Sequence, residues 1–367
     1  MIKVFFDHQK FTTQRFGGIS RYFASLIDAI KNSADFDYKL GLLYSNNHYI
    51  KDEKLPLNNA VGRRLLRSEY GGRSAYVNEK YCRYLLKEDK FSVFHPTYYD
   101  LYSIGLNKRP MVTTVHDMTY ERLPEYFWAN DPLPYNKRIS MEKADRIIAI
   151  SETTKKDILE LTGINEDKIQ VIYHGIDIRS ELSLESVRNL PSNYLLFVGD
   201  RSGYKNFYLF IDAFSKIKDA YPEIDVVLTG GGSLGHGDRE FLHRTNLSGR
   251  VHHVNVSDEQ LNYLYKHALL FVYPSLYEGF GLPILEAFKA QCPVLLSDID
   301  CFKEVGADAV AYFEKLNIDH LVYMLEMLIN DDSARRNLVS KGEERLKNFP
   351  IETCTEKTLD IYRELIF

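Results

Sequence analysis

The stretch PSLYEGFGLPILEA, Pro274–Ala287, decides the reading of this sequence. It follows the apolar run LLFVY, carries Gly279 and Gly281, and enters a helical pattern with Pro283 near the first turn, a favoured place for proline. Glycines there let the backbone approach a ligand closely, and the N–H groups that follow suit phosphate oxygens through the helix dipole. Glu278 and Glu286 are separated by seven residues, one in the loop and one in the helix. Phosphates at such a helix end repel carboxylates, so these two are better placed to accept hydrogen bonds from sugar hydroxyls. A surface loop with two solvated glutamates is the plainer alternative, and the whole string argues against it.

Outward from this stretch the pattern is strand, then helix, repeated. β-Branched or aromatic runs occur at 2–6, 38–44, 92–95, 111–116, 146–150 and 169–173 in the first half. Others occur at 194–198, 225–229, 250–254, 269–273, 293–297 and 310–313 in the second. Between the first two, Ile19, Tyr22, Phe23, Leu26, Ile27 and Ile30 share one helix face. Phe207, Phe210, Ile211 and Phe214 do the same in the second half. A polar stretch at 179–192 reads as a linker, and the tail beyond Asn317 reads as helix alone. This alternation predicts an α/β protein of two doubly wound, Rossmann-like domains facing each other across a cleft. The expected boundaries are 1–180 and 193–350, with 351–367 a helix packing back toward the N-terminal domain.

Composition bounds the function. The 367 residues are 45% hydrophobic and 26% charged, an ordinary globular balance that excludes a disordered or fibrous chain. With 46 basic and 51 acidic residues the net charge is −5, so no nucleic-acid partner is expected. Cys82, Cys292, Cys301 and Cys354 are scattered without metal-ligand spacing and read as reduced thiols. The opening MIKVFFDHQK is too short an apolar run for a signal peptide, and no stretch approaches the length of a membrane span. A cytoplasmic protein is expected. Two DxD strings occur, at 35–37 and 298–300, but 26 aspartates give about two by chance, so they indicate no metal.

Three further motifs bear on chemistry. VGDRSGYKNF, Val198–Phe207, ends a strand and places Arg201 and Lys205 where two cations can grip a pyrophosphate, with Asn206 set to cap the next helix. FGGIS puts Gly17 and Gly18 ahead of a strong helix, but it lacks GxGxxG and so argues against a nicotinamide dehydrogenase. TTVHDMTY puts His116 and Asp117 at the C-terminal edge of an apolar strand.

EGFGLPILE resembles the signature of the retaining GT-B glycosyltransferases of family 4, the group 1 glycosyltransferases, and the other motifs follow in that family's order. The FDHQ…GGISRYF opening with GDRSGYKN looks most like bacterial O-antigen or capsule sugar transferases, mannosyltransferases among them. The resemblance implies that Glu278, Gly279, Phe280, Gly281 and Leu282 bind the donor sugar and phosphates, and Glu286 the ribose. It implies that Arg201 and Lys205 neutralise the leaving diphosphate, although their spacing is shorter than usual. Gly17 and Gly18 would face the donor, His116 would hydrogen-bond the donor sugar, and Gly199, Asn206, Gly230 and Val256 would complete the nucleotide site. His174 stands where the family usually has asparagine and receives no role.

The implied activity is metal-independent, cofactor-free transfer of a sugar, with retention, from GDP-mannose or a UDP-sugar. The acceptor would be a hydroxyl of a growing, lipid-linked surface glycan; the resemblance makes 1–180 the acceptor-binding domain and 193–350 the nucleotide-sugar-binding domain. A nucleotide-sugar epimerase of the same shape and a non-catalytic sugar-nucleotide-binding protein are the alternatives. Residues 61–90 hold eight basic residues against four acidic ones, with Tyr70, Tyr76, Tyr81 and Tyr84 among them. That stretch suits peripheral contact with the inner membrane, and equally a solvated helix face.

Overall fold

The computed structural model describes residues 1–67, 72–201 and 203–366. Tyr70 and Ser202, which belong to two of the motifs above, and the C-terminal Phe367 lie outside the described residues. The chain divides into two compact units. The first comprises Met1–Glu121, Ala129–His174 and Ile351–Phe367; the second comprises Arg122–Trp128 and Gly175–Pro350.

In the first unit six short parallel strands follow the expected order: β1 (Ile2–Phe6), β2 (Phe36–Leu40), β3 (Val93–His95), β4 (Val112–Val115), β5 (Arg146–Ala149) and β6 (Ile169–Val171). β2, β1 and β3 form one three-stranded sheet and β4, β5 and β6 another. A single parallel bridge from Phe94 to Met111 joins them. The amphipathic face read from sequence is the buried one. On the helix Gly18–Lys31, Tyr22, Phe23, Leu26, Ile27 and Ile30 are all buried, while Ile19 is partly so. Each such side chain stabilises the fold by about 1.5–3 kcal/mol relative to exposure. The C-terminal helix Ile351–Glu364 completes this core with Cys354, Leu359, Ile361 and Tyr362.

The second strand differs from its prediction. It ends at Leu40 rather than Tyr44, because its partner β1 ends at Phe6, paired with Leu40. Leu42 and Tyr44 are buried in the loop that follows, so an apolar loop imitates strand alternation.

The second unit is a single six-stranded parallel sheet. Its strands are β7 (Asn193–Val198), β8 (Ile224–Thr229), β9 (Val251–Val254), β10 (Leu270–Tyr273), β11 (Val294–Ser297) and β12 (Ala311–Phe313). They lie in the order β12-β11-β10-β7-β8-β9, which is the dinucleotide-binding order 3-2-1-4-5-6 read from the other edge. The order reverses between β7 and β10, where the connections diverge and leave a crevice at the strand C-termini. Phe207, Phe210, Ile211 and Phe214 of the helix Phe207–Ile217 are fully buried against this sheet. The stretch 179–192 holds no helix or strand, and Lys289 Nζ ties its start by donating to the Asp177 carbonyl and the Ser180 hydroxyl.

Candidate functional site

In the second unit, the loops that carry the predicted donor residues meet at the reversal point. Lys205 ends the turn after β7 and Glu278 lies in the loop after β10; Nζ and Oε1 are 2.6 Å apart, and both side chains are only 13% exposed. Burial alone would depress the Lys205 ammonium, but Glu278 and the rings of Tyr273 and Tyr204 outweigh it and hold the group well above the ordinary lysine range. The Ser275 hydroxyl donates to the same Glu278 oxygen at 2.7 Å. Leu276 N–H donates to the Tyr204 carbonyl at 2.8 Å, fastening the two loops together.

The helix Leu282–Lys289 begins immediately beyond, capped by Gly281 at φ 102° with Pro at its first positions. That angle lies in the left-handed region, and an added Cβ would stand 2.9 Å from Ile284, so glycine is required. Phe280 is buried, its carbonyl accepting from the Cys301 thiol at 2.9 Å and its ring 5.8 Å from Phe349. Glu286 accepts from the Tyr265 hydroxyl at 3.3 Å on the adjoining helix Asp258–His267. Burial and then Glu286 push the Tyr265 hydroxyl far up its range, so it remains a donor. Gly279 and Leu282 lie in the same short segment, and Val256 immediately precedes Ser257, which caps Asp258–His267 through its side chain.

Arg201 is placed differently from a free phosphate cation. Its Nε donates to Asp238 at 3.0 Å, and its two terminal nitrogens donate to the carbonyls of Gly230, Gly231, Gly232 and Ser233 at 2.9–3.2 Å. The guanidinium therefore clasps the turn after β8, to which Gly199 is also tied by its N–H on the Thr229 carbonyl. Asp238 also accepts from Tyr208 and from Gly235 N–H; burial would raise this carboxyl, but these bonds and Arg201 hold it below the usual range.

Asn206 corrects its prediction. It precedes the helix Phe207–Ile217 at φ 57° and makes no side-chain cap, because the left-handed turn carries the amide away from the helix N–H groups. Its Nδ2 is buried and meets no acceptor among the described residues.

In the first unit, Gly17 is the N-cap and Gly18 the first residue of the helix Gly18–Lys31, where Gln14 Oε1 accepts from Ser20 N–H. His116 follows β4 and is buried, its N–H donating to the Tyr99 hydroxyl at 3.2 Å. Its ring stacks on His174 at 5.8 Å and 16°, and Tyr22 meets both rings edge-on. Burial, then His174, Lys10, His95 and Lys137, hold His116 well below the ordinary histidine value. Sequence reasoning gave His174 no part in this cluster. It also missed Tyr265, Asp238 and Ser275; of these only Ser275, three residues before Glu278, leaves a local signal.

Two family models match the chain. The model of glycosyl transferases group 1 covers residues 179–345, and that of glycosyltransferase family 4 covers 16–180. The chain belongs to glycosyltransferase family 4. Among relatives of this family 4 chain, the O-antigen chain mannosyltransferase B of Escherichia coli is 28% identical over 279 residues, 69% of this chain and 70% of that protein. The O-antigen chain mannosyltransferase RfbU of Salmonella typhimurium is 29% identical over 205 residues, 56% of each. Among solved structures, the sucrose-phosphate synthase of Thermosynechococcus elongatus superposes with a TM-score of 0.75 at 18% identity, over 100% of this chain and 99% of that one. Anabaena HepE in complex with UDP and glucose gives 0.72 at 17%, over 98% and 99%. These likenesses establish the GT-B fold of the family 4 chain. No described helix is long and apolar enough to cross a membrane.

Proposed function

We propose that this glycosyltransferase moves a hexose, mannose above others, from a nucleoside-diphosphate donor to a hydroxyl of a lipid-linked surface glycan, with retention and without a metal ion. The observation that carries the reading is the buried Lys205–Glu278 pair at the sheet's reversal point, beside a helix N-terminus opened by Gly281. The cation and the helix end suit a diphosphate, and Glu278 and Glu286 suit hydroxyls of the sugar and ribose. The unmatched Asn206 Nδ2 adds a donor for a ligand oxygen, since a buried amide without a partner costs about 1–3 kcal/mol.

In the reaction the bond between the anomeric carbon and the diphosphate oxygen breaks, and its electron pair stays on the diphosphate. Lys205 and the helix N-terminus stabilise that charge as it grows. The acceptor oxygen bonds to the same face of the sugar and its proton passes to a donor phosphate oxygen. Arg201 serves this step by fixing the Gly230–Ser233 turn, and it reaches phosphate only by exchanging those carbonyls for ligand oxygens. The mannosyltransferase relatives favour mannose as the sugar and favour transfer over epimerisation or silent binding; the nucleotide is GDP in this reading, with UDP the alternative.

Thermal shifts with UDP, GDP, dTDP, CMP and NAD, no metal added, test the donor. A ligand at 100 times its Kd contributes about 2.7 kcal/mol, a rise of a few degrees. One nucleoside diphosphate alone is expected to raise Tm, and a response to NAD alone overturns the reading. NMR of the product's anomeric configuration against that of the donor then tests retention.

A further inference from the structure

A second site lies wholly within the first unit. The segment after β2 encloses a cavity of about 510 Å³ whose wall includes Lys51, Lys54 and Arg63. Among the described residues none of these three cations has an ion-pair partner. The one carboxylate on the wall, Glu53, is already neutralised by Lys31 Nζ at 2.6 Å and accepts from the Tyr38 hydroxyl at 2.9 Å. The cavity is therefore a net cationic hollow.

Its remaining wall is polar. Asn47 and Asn58 spend their amides on the backbone: Asn47 accepts from Tyr49 N–H and donates to the Gln14 carbonyl, and Asn58 bonds Ser45 in both directions. They shape a rigid rim. Exposed Asn46 accepts from the Tyr44 hydroxyl and keeps its Nδ2 for a ligand. Leu55 is the one aliphatic side chain on the wall, so an apolar ligand finds little to bury against.

The position is that of a ligand site. The cavity follows the C-terminal end of β2, and in open α/β sheets ligands bind outside the strand C-termini. Through Asn47 and the His48 N–H on the Arg15 carbonyl, it is bonded to the segment that leads into Gly17 and Gly18.

We infer that this cavity holds the anionic group of the sugar acceptor, a phosphate or carboxylate oxyanion attached to hydroxylated sugar. The inference rests on the proposed function, which assigns the donor to the second unit and leaves the acceptor to the first. Two sources carry such an oxyanion: the diphosphate that joins a glycan to its lipid, and an acidic sugar within the glycan.

The test compares wild type with Lys51→Gln/Lys54→Gln/Arg63→Gln, three exposed substitutions, by calorimetric titration with geranyl diphosphate, glucuronate and mannose. Each titration is run with and without the stabilising nucleoside diphosphate, so that an anion held in the donor site is recognised by its displacement. Wild type is expected to bind an anion at least tenfold more tightly than the variant, more weakly as salt rises, with unchanged Tm and nucleotide affinity. A difference with geranyl diphosphate assigns the oxyanion to the lipid link, and one with glucuronate assigns it to the glycan. Equal affinities of wild type and variant for each anion, or no binding of either anion by wild type at 10 mM, overturn the inference. Because the variant leaves the donor site intact, a failure of nucleotide binding in wild type counts against the proposed function alone.

Discussion

Lys205 and Glu278 are 73 residues apart in sequence and 2.6 Å apart in space, each the other's counter-charge in a place that water barely reaches. Removing one partner strands the other, which costs about 3–5 kcal/mol for buried pairs, whereas replacing both with neutral groups costs much less. Lys205→Met is therefore expected to lower the urea midpoint of the second unit more than Lys205→Met/Glu278→Gln. Sugar transfer should be lost in both. If the double variant regains activity along with stability, the pair is a structural device and its donor role is wrong.

Glu286 accepts a hydrogen bond from Tyr265 and lies on the first turns of a helix whose N-terminus faces the loop. A hydrogen bond to a charged group contributes about 1.5–3 kcal/mol, which is 10- to 100-fold in affinity. Glu286→Ala is expected to weaken nucleotide binding by that factor in calorimetry. Arg201→Ala should cut transfer more than binding, through the loosened Gly230–Ser233 turn. Small and equal effects from both would remove the roles assigned to them.

How far the sequence carries can be seen at these same residues. The strands β7 and β10, and so the loops that carry Lys205 and Glu278, follow from alternation, whereas the direct pairing of these two side chains does not, since sequence reasoning gives one to the diphosphate and the other to the sugar. The Tyr265 hydroxyl on Glu286 and the Asp238 carboxylate on Arg201 do not, because partners 21 and 37 residues apart leave no periodic trace. Its residue type makes Asn206 a helix cap, whereas its backbone angle, set by the tight 203–205 turn, decides otherwise. Leu42 and Tyr44 show the converse, a loop buried deeply enough to carry a strand's pattern.

His95, His116 and His174 are buried neutral in the first unit. Burial holds His95 and His174 down to about 3, and burial with the neighbouring His174 holds His116 well below its ordinary value. In the unfolded chain each titrates near 6.5. Between those values only the unfolded state takes up the protons, so this stability is complete above pH 6.5 and falls as pH drops from 6.5 toward 3. The loss is about 1.4 kcal/mol per pH unit for each of His95 and His174, about 2 kcal/mol each at pH 5, and His116 adds to it in the same direction. The first unit's unfolding midpoint should fall steeply from pH 7 to pH 5, and less steeply in His174→Asn. A midpoint that is flat over that range contradicts the buried neutral state.

The second unit includes a strap, Arg122–Trp128, whose sequence neighbours on both sides belong to the first. Tyr126 of this strap lies so close to Gly203 that a Cβ there would stand 2.5 Å from its ring, and the Phe127 ring sits 5.7 Å from Tyr204. The strap thus backs the turn that carries Lys205. Trp128, the chain's one tryptophan, is exposed at its end and makes the strap a natural fluorescent reporter. Nucleotide binding at Lys205 is expected to change Trp128 emission with the same midpoint as calorimetry. Gly203→Ala should raise the donor KM about tenfold, because the new methyl and the Tyr126 ring cannot share their space. Tyr126→Ala added to Gly203→Ala removes that clash and should restore most of the donor affinity. If the double variant is no better than Gly203→Ala, the glycine serves the turn's own backbone and the strap has no part in holding Lys205.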